Sequence, residues 1–306
     1  MISVIICSVD PSRLARVSRN IGMTIGVPHE IIPVDNSSGR YGICMAYNIG
    51  GSQAKYPILC FMHEDISFET MDWGQRVCRH LEDPTVGLLG VAGGDARGLV
   101  PCSWSVPVGS KQINLIQHYK YSAGAPEHIL ETDPSGYADK KKVVALDGVW
   151  LCTRKDVFQK FKFDTATFTG FHGYDIDYSL QVSTGFQIYT VFDILIHHYS
   201  DGKPDRSWVK SAMLVSKKWR SRLPLSVTPQ TKQIYSLHHW RSMRVFLERL
   251  SDLDYNYFQI LYYLVYYSCN RFFSWRRLGS MAKFTLVNFL NKRRRQVTNP
   301  AISRQN

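Results

Sequence analysis

The tripeptide His63-Glu64-Asp65 closes the apolar run Ile58-Leu59-Cys60-Phe61-Met62. A run of that length, bounded by Pro57 and by carboxylates, reads as a buried parallel strand. In open α/β sheets, ligands collect outside the carboxyl ends of strands. A carboxylate placed there can hold a hard cation, and the cation can hold phosphates. The plainer alternative is a strand that runs into a polar loop. Further along, His197-His198 closes a second strand-like run at 192–196. Carboxylate oxygen and imidazole nitrogen together suit Mn2+ or Mg2+ bridging a diphosphate. Adjacent strand residues point to opposite faces, so only one of His197 and His198 is expected to turn toward such a site.

Two further groups sit at expected strand ends or helix starts. Asp35, in Val34-Asp35-Asn36-Ser37-Ser38, could accept hydrogen bonds from a nucleobase or ribose. Asp-Asn-Ser-Ser is equally suited to an N-cap or an Asx-turn. In Gly170-Phe171-His172-Gly173-Tyr174-Asp175-Ile176-Asp177, both aspartates begin a helix, where its dipole favours acids. Capping alone does not account for two glycines and flanking aromatics. That composition fits a loop that approaches a ligand closely, with a carboxylate at its end as a general base. Gly93-Gly94-Asp95 is no P-loop, because no Gly-Lys-Ser/Thr follows. No Gly-x-Gly-x-x-Gly follows the first strand, which excludes the usual nicotinamide fingerprint. There is no nucleophile elbow around Gly170.

The elements that must position these groups alternate. Strands are expected at 3–7, 30–34, 58–62 and 86–91, and helices at 11–21, 43–54 and 71–81, which predicts a parallel sheet with right-handed crossovers. Residues 93–145 are rich in Gly, Pro and Ser and read as long loops with short antiparallel strands over one side of the sheet. Structure resumes at 143–152, with helices near 155–161 and 175–185 and a strand at 186–191. From about 205 onward the chain reads as helical, basic and aromatic.

Composition narrows the classes. The chain has 306 residues, 44% of them hydrophobic, enough for a real core. The net charge of +12 is uneven: residues 201–306 hold 20 Lys/Arg against 5 Asp/Glu. A near-neutral body with a basic appendage argues against nucleic acid as the partner of the whole. Residues 254–273 are crowded with Tyr and Phe and followed by Arg276-Arg277 and Lys292-Arg293-Arg294-Arg295. That pattern suits an anionic membrane surface, or a helical unit packed on the core or on a second copy as a homo-oligomer. The first residues lack a basic leader, and the 7 scattered cysteines read as reduced core thiols. Together these point to a cytoplasmic protein, with peripheral attachment at the inner membrane face one of the alternatives left open for its basic part.

Taken in order, these motifs resemble the family 2-type glycosyltransferases of GT-A fold, and more narrowly a bacterial subgroup with His-x-Asp in place of Asp-x-Asp. The resemblance rests on Val34-Asp35-Asn36, Ala46-Tyr47-Asn48-Ile49-Gly50, Phe61-Met62-His63-Glu64-Asp65, Leu146-Asp147-Gly148-Val149-Trp150, Phe171–Asp177 and Ile196-His197-His198, over about residues 2–200. It implies a Rossmann-like α/β fold with a mixed, mostly parallel sheet flanked by helices, a glycosyltransferase domain at 1–204, and a helical extension at 205–306. It implies an inverting, metal-dependent transfer from a nucleotide-sugar donor, a UDP-sugar first, to a glycan or lipid-linked saccharide acceptor. Asp35, Asn48, His63 and Asp65 would bind the donor. Asp65 with His197 or His198 would hold Mn2+ or Mg2+. Asp175 would be the base, and Asp147, Trp150, His172 and Tyr174 would shape the sugar and acceptor pocket. Tyr174 stands where the family carries Glu, and His63 where it carries the first Asp. The competing reading is a membrane- or polyanion-binding protein with a degenerate nucleotide-binding domain.

Overall fold

The computed structural model describes residues 1–119, 125–131, 138–200, 202 and 204–298, with side chains described as far as 292. In chain order its elements begin β1 (Ile2–Ser8), α1 (Pro11–Thr24), β2 (His29–Asp35), α2 (Ile43–Gln53), β3 (Ile58–Met62), β4 (Ile66–Phe68), α3 (Trp73–Leu81) and β5 (Val86–Gly90). The middle of the chain forms β6 (Ala92–Gly94), β7 (Ala96–Arg97), β8 (Lys111–Gln117), β9 (Glu127–Glu131), β10 (Lys140–Val143), β11 (Ala145–Leu146) and β12 (Trp150–Arg154). There follow α4 (Lys155–Lys160), α5 (Tyr174–Val182), β13 (Gln187–Val191), β14 (Ile196–His198), α6 (Arg206–Lys218) and β15 (Leu225–Ser226). Three helices close the described chain: α7 (Lys232–Asp252), α8 (Tyr257–Ser268) and α9 (Trp275–Thr298).

The main sheet has seven strands in the order β10-β13-β5-β12-β3-β1-β2. Parallel pairing of β1 with β2 and β3, and of β13 with β5, gives five strands one direction. β12 runs against β3 and β5, and β10 against β13. This is the expected mixed, mostly parallel sheet. Both its faces are covered, and the sequence shows why: Val4 and Ile6 join one buried cluster and Ile5, between them, joins the other. A second sheet runs β11-β6-β8-β14-β4, with β9 added on β8; its β6, β8, β9 and β11 come from residues 92–146, and β4 precedes them in the chain. The short strands expected there are present, and β14 enters that sheet from much later in the chain.

Three expectations are corrected. The strand-like run at 192–196 shrinks to Ile196–His198, because residues 192–195 turn and give backbone carbonyls to Asn114. The aromatic stretch at 254–273 is helical only over Tyr257–Ser268, where Asn256 and Gln259 form a capping box at its start. Cys60 and Cys152 are not reduced thiols. They face each other across the antiparallel β3/β12 pair and are joined in a disulfide, while Cys7, Cys44, Cys78, Cys102 and Cys269 are free.

The last three helices have a core of their own around Trp240, Met243, Phe246, Leu250, Ile260 and Leu264. Helix α6 bridges that core and the main body: its Val209 joins the helical cluster and its Val215 the core of the sheet, while Lys218 Nζ donates to Asp164 at 2.7 Å and to Asp177 at 2.9 Å, and Trp219 Nε1 donates to Asp177 at 2.7 Å. Those bonds hold α5 from below. Among the described residues no helix is long and apolar enough to cross a membrane. Arg293-Arg294-Arg295 lies beyond the described side chains.

Candidate active site

The carboxyl end of β3 divides its three polar residues between two jobs. The amide of His63 donates to Val149 O at 3.1 Å, which continues the pairing with the segment that leads into β12. The Glu64 carboxylate turns the other way, accepting from Ser8 Oγ at 2.7 Å and from the amides of Val9 and Asp10 at 3.2 and 3.3 Å. It staples the β1–α1 loop. Asp65 Oδ1 is buried with no hydrogen-bond partner among the described residues. It lies 3.8 Å from His63 Nδ1 and 4.0 Å from His198 Nε2.

The proton positions on both rings follow from their other partners. Tyr174 Oη has one proton and lies 2.9 Å from the Gly148 carbonyl, which can only accept. Nε2 of His63, 2.9 Å from the same oxygen, must therefore donate to it, and Nδ1 keeps a lone pair. His198 Nδ1 lies 3.2 Å from Gln117 Oε1, also only an acceptor, and the Gln117 amide nitrogen is fixed on the carbonyls of His118, His198 and Ser200. In the neutral ring Nε2 of His198 then carries the lone pair. Burial first, opposed by the Asp65 charge, holds His63 below its usual pKa and keeps it neutral. Two imidazole lone pairs and an unpartnered carboxylate oxygen converge with no proton between them, and such a set fits a divalent cation. These three ligand atoms lie within 4.8 Å of one another. Of the pair expected to split at 197–198, His198 is the one that faces this set. His197 faces away, to His118 Nε2 at 2.9 Å and Glu69 at 3.0 Å.

Asp175 stands in the first turn of α5, behind Gly173, whose φ of 83° is the left-handed conformation that favours glycine. Its Oδ2 accepts from the Gly148 amide at 3.1 Å. Gly148 is a forced glycine: a Cβ there would overlap the Tyr174 hydroxyl and crowd Asp175 Cβ. Burial, then the charge of Asp147, pushes the Asp175 carboxyl up to about 7. Asp147 itself accepts from the Val149 amide at 2.9 Å.

Two cavities open onto this cluster. One, of about 390 Å³, is walled by Asp147, Asp175, His172, Trp104 and Trp208. The other, of about 460 Å³, is walled by Asn36, Arg13, Arg40 and Tyr41. His63, Asp65 and Phe171 line both.

Three expected site residues stand elsewhere. Asn48 clamps a backbone: its side chain donates to Phe163 O at 2.8 Å and accepts from Phe163 N at 3.1 Å, and it is not among the described residues lining either cavity. Trp150 is fully buried and packs edge-on against Phe68 and Trp73, inside the core and not on a pocket wall. Asp35 is exposed and accepts from the Ser37 amide at 2.9 Å, as an Asx-turn does, and it is not among the described residues lining either cavity. Tyr174 lines the first cavity, yet its hydroxyl is committed to Gly148 and His63. His172 lies on that wall, 3.8 Å from Asp205. Sequence reading missed Arg13, Arg40, Trp104 and Trp208. Arg40, beside Gly39 with its φ of 66°, had a signal in the polar Ser38-Gly39-Arg40 turn, but Trp104 and Trp208 had none.

The glycosyltransferase-like family model matches residues 3–216. No curated protein matches the chain. Among solved structures, GalNAc-T7 with UDP, GalNAc and Mn2+ is 14% identical with a TM-score of 0.48, over 82% of this chain and 56% of that one. The mannosyltransferase PcManGT from Pyrobaculum calidifontis, in complex with GDP-Man and Mn2+, is 12% identical with a TM-score of 0.47, over 95% and 86%. A197 from STIV is 12% identical with a TM-score of 0.38, over 65% and 86%. The chain thus spans little more than half the length of the GalNAc-T7 structure.

Proposed function

The chain belongs to the glycosyltransferase-like family, and on that premise we propose that it transfers a sugar from a nucleotide-sugar donor to an acceptor hydroxyl with inversion. The observation that carries the reading is the convergence of His63 Nδ1, His198 Nε2 and Asp65 Oδ1 at the seam between two cavities. The cavity of Arg13, Arg40 and Tyr41 suits the nucleotide diphosphate, since guanidinium pairs with phosphate and a ring can stack on a base. The cavity of Asp147, Asp175 and Trp104 suits the sugar and its acceptor.

In this reading Asp175 takes the proton of the acceptor hydroxyl as that oxygen bonds to the anomeric carbon. The bond from that carbon to the diphosphate oxygen breaks, and its electron pair leaves with the nucleoside diphosphate. A base whose pKa stands near 7 is matched to proton transfer at neutral pH. His63, Asp65 and His198 would hold the cation, which when bound offsets charge on the departing diphosphate. Two imidazoles among three ligands favour Mn2+ over Mg2+. A glycan or lipid-linked saccharide is the acceptor class we favour, because aromatic Trp104 and Trp208 suit sugar faces.

Thermal shift with UDP-, GDP- and dTDP-sugars, with and without Mn2+, tests the reading. Metal-dependent stabilisation by at least one sugar nucleotide is expected. Stabilisation by none, with or without metal, would favour a domain that no longer binds donors.

A further inference from the structure

A third cavity, of about 670 Å³, lies between α7 and α9, away from the site just described. Arg241, Arg244 and Arg277 line it, and beside them Leu237, Val245 and Met281. On α7, Leu237, Arg241, Arg244, Val245 and Glu248 recur at the spacing of one helix face. Glu248 is the cavity's one carboxylate among the described lining residues, and it accepts from Arg244 Nε at 3.2 Å. Arg277 donates to Ser236 O at 3.2 Å. Arg241 is exposed and has no hydrogen-bond or ion-pair partner among the described residues. The groove therefore holds surplus positive charge next to apolar side chains that are themselves open to solvent, with Leu237 40% and Val245 43% exposed.

We propose that this groove takes the phosphate of an anionic lipid and docks the chain on a membrane surface. Charge complementarity selects that occupant: residues 255–306 carry nine Lys/Arg and no Asp/Glu. A free phosphate would satisfy the guanidiniums and leave Leu237 and Val245 wet. A lipid satisfies both, its headgroup on the arginines and its glycerol and upper chain on the apolar wall. The same helical unit exposes Phe258 at 80% and Trp275 at 77%, aromatic side chains of the kind that settle at a bilayer interface. The inference stands apart from the proposed transfer reaction and survives its failure.

Vesicle flotation of the full chain tests it, using phosphatidylcholine vesicles with and without phosphatidylglycerol. The chain is expected to float with the anionic vesicles alone. The triple variant Arg241→Ala, Arg244→Ala, Arg277→Ala is expected to bind roughly a hundredfold more weakly, at about one kcal/mol for each basic residue near the surface. Arg241→Glu, at a partnerless exposed site, keeps the fold and is expected to lose at least about tenfold, since it removes one such charge and adds a repulsive one. Leu237→Ser with Val245→Ser is expected to weaken binding without changing its salt dependence. Equal binding by Arg241→Glu and wild type overturns the proposal. So does release of the wild type by inorganic phosphate at constant ionic strength, which marks a soluble-phosphate site. A dimer in light scattering that dissociates in the same variant assigns the groove to a second copy and overturns it too.

Discussion

The hydroxyl of Tyr174 lies 2.9 Å from Nε2 of His63, and its single proton is engaged by the Gly148 carbonyl. One side chain thereby decides which nitrogen of another is free. The Tyr174 hydroxyl holds the His63 ring in that orientation. Tyr174→Phe is expected to leave the fold intact and to weaken Mn2+ binding by about 10–100-fold, the usual cost of losing a partner behind a metal ligand. Calorimetric titration with Mn2+ alone measures it. Unchanged affinity would show that His63 needs no such support. Gly148→Ala is expected to act through the same hydroxyl, with at least as large a loss.

The two neighbouring histidines offer an internal control. His198→Ala is expected to abolish the metal dependence of sugar-nucleotide stabilisation, as Asp65→Ala is. His197→Ala should retain it, because that ring faces His118 and Glu69. Thermal shift with and without Mn2+ separates them, and equal losses in both histidine variants would undo the assignment.

Asp175→Asn is expected to lower turnover by roughly 10²–10⁴ with little change in donor affinity, as for loss of a general base. Burial and Asp147 raise the carboxyl to about 7, and the base works only when deprotonated. The acid limb of kcat/KM should accordingly fall as pH drops through about 7. Asp147→Asn removes the neighbouring charge and is expected to move that limb to lower pH. A limb that stays in place would mean another group titrates.

Stability has its own pH dependence. Burial, then the Arg277 charge, lowers the His239 imidazole to about 4, and the side chain is 1% exposed. A free His titrates near 6.5, so between the two values the unfolded chain holds the extra proton. The contribution is present in full above about 6.5 and is lost as pH falls toward 4, amounting to roughly 3 kcal/mol. Urea melts across that range should show the loss, and His239→Gln should flatten it.

Much of the main sheet was legible because β1, β3 and β5 are buried on both faces and read as largely apolar runs bounded by turn residues, whereas the half-buried edge strand β2 shows only the short run Ile31-Ile32-Pro33-Val34. Asp65, Asp175 and the 197–198 pair were legible because they end such runs or open a helix. What escaped was set by contacts distant in sequence. Asn48 spends its amide on Phe163, 115 residues away, and the Cys60–Cys152 bond spans 92. The family resemblance implied Trp150 as pocket lining, yet its strand turns it into the core beside Trp73. Strand alternation separates His197, turned to His118 and Glu69, from His198 on the cavity wall; the periodicity predicted that the pair would split and did not say which ring would face inward.

The half-exposed ring of Phe171, 5.4 Å from His63, is a wall common to both active-site cavities. A side chain that borders both cavities is placed to couple them, and we predict that binding in one changes affinity in the other. Steady-state kinetics should show a compulsory order of addition, with the nucleotide product a competitive inhibitor against one substrate only. Replacing the ring by alanine should relax that order toward random and let water reach the donor, seen as slow donor hydrolysis without acceptor.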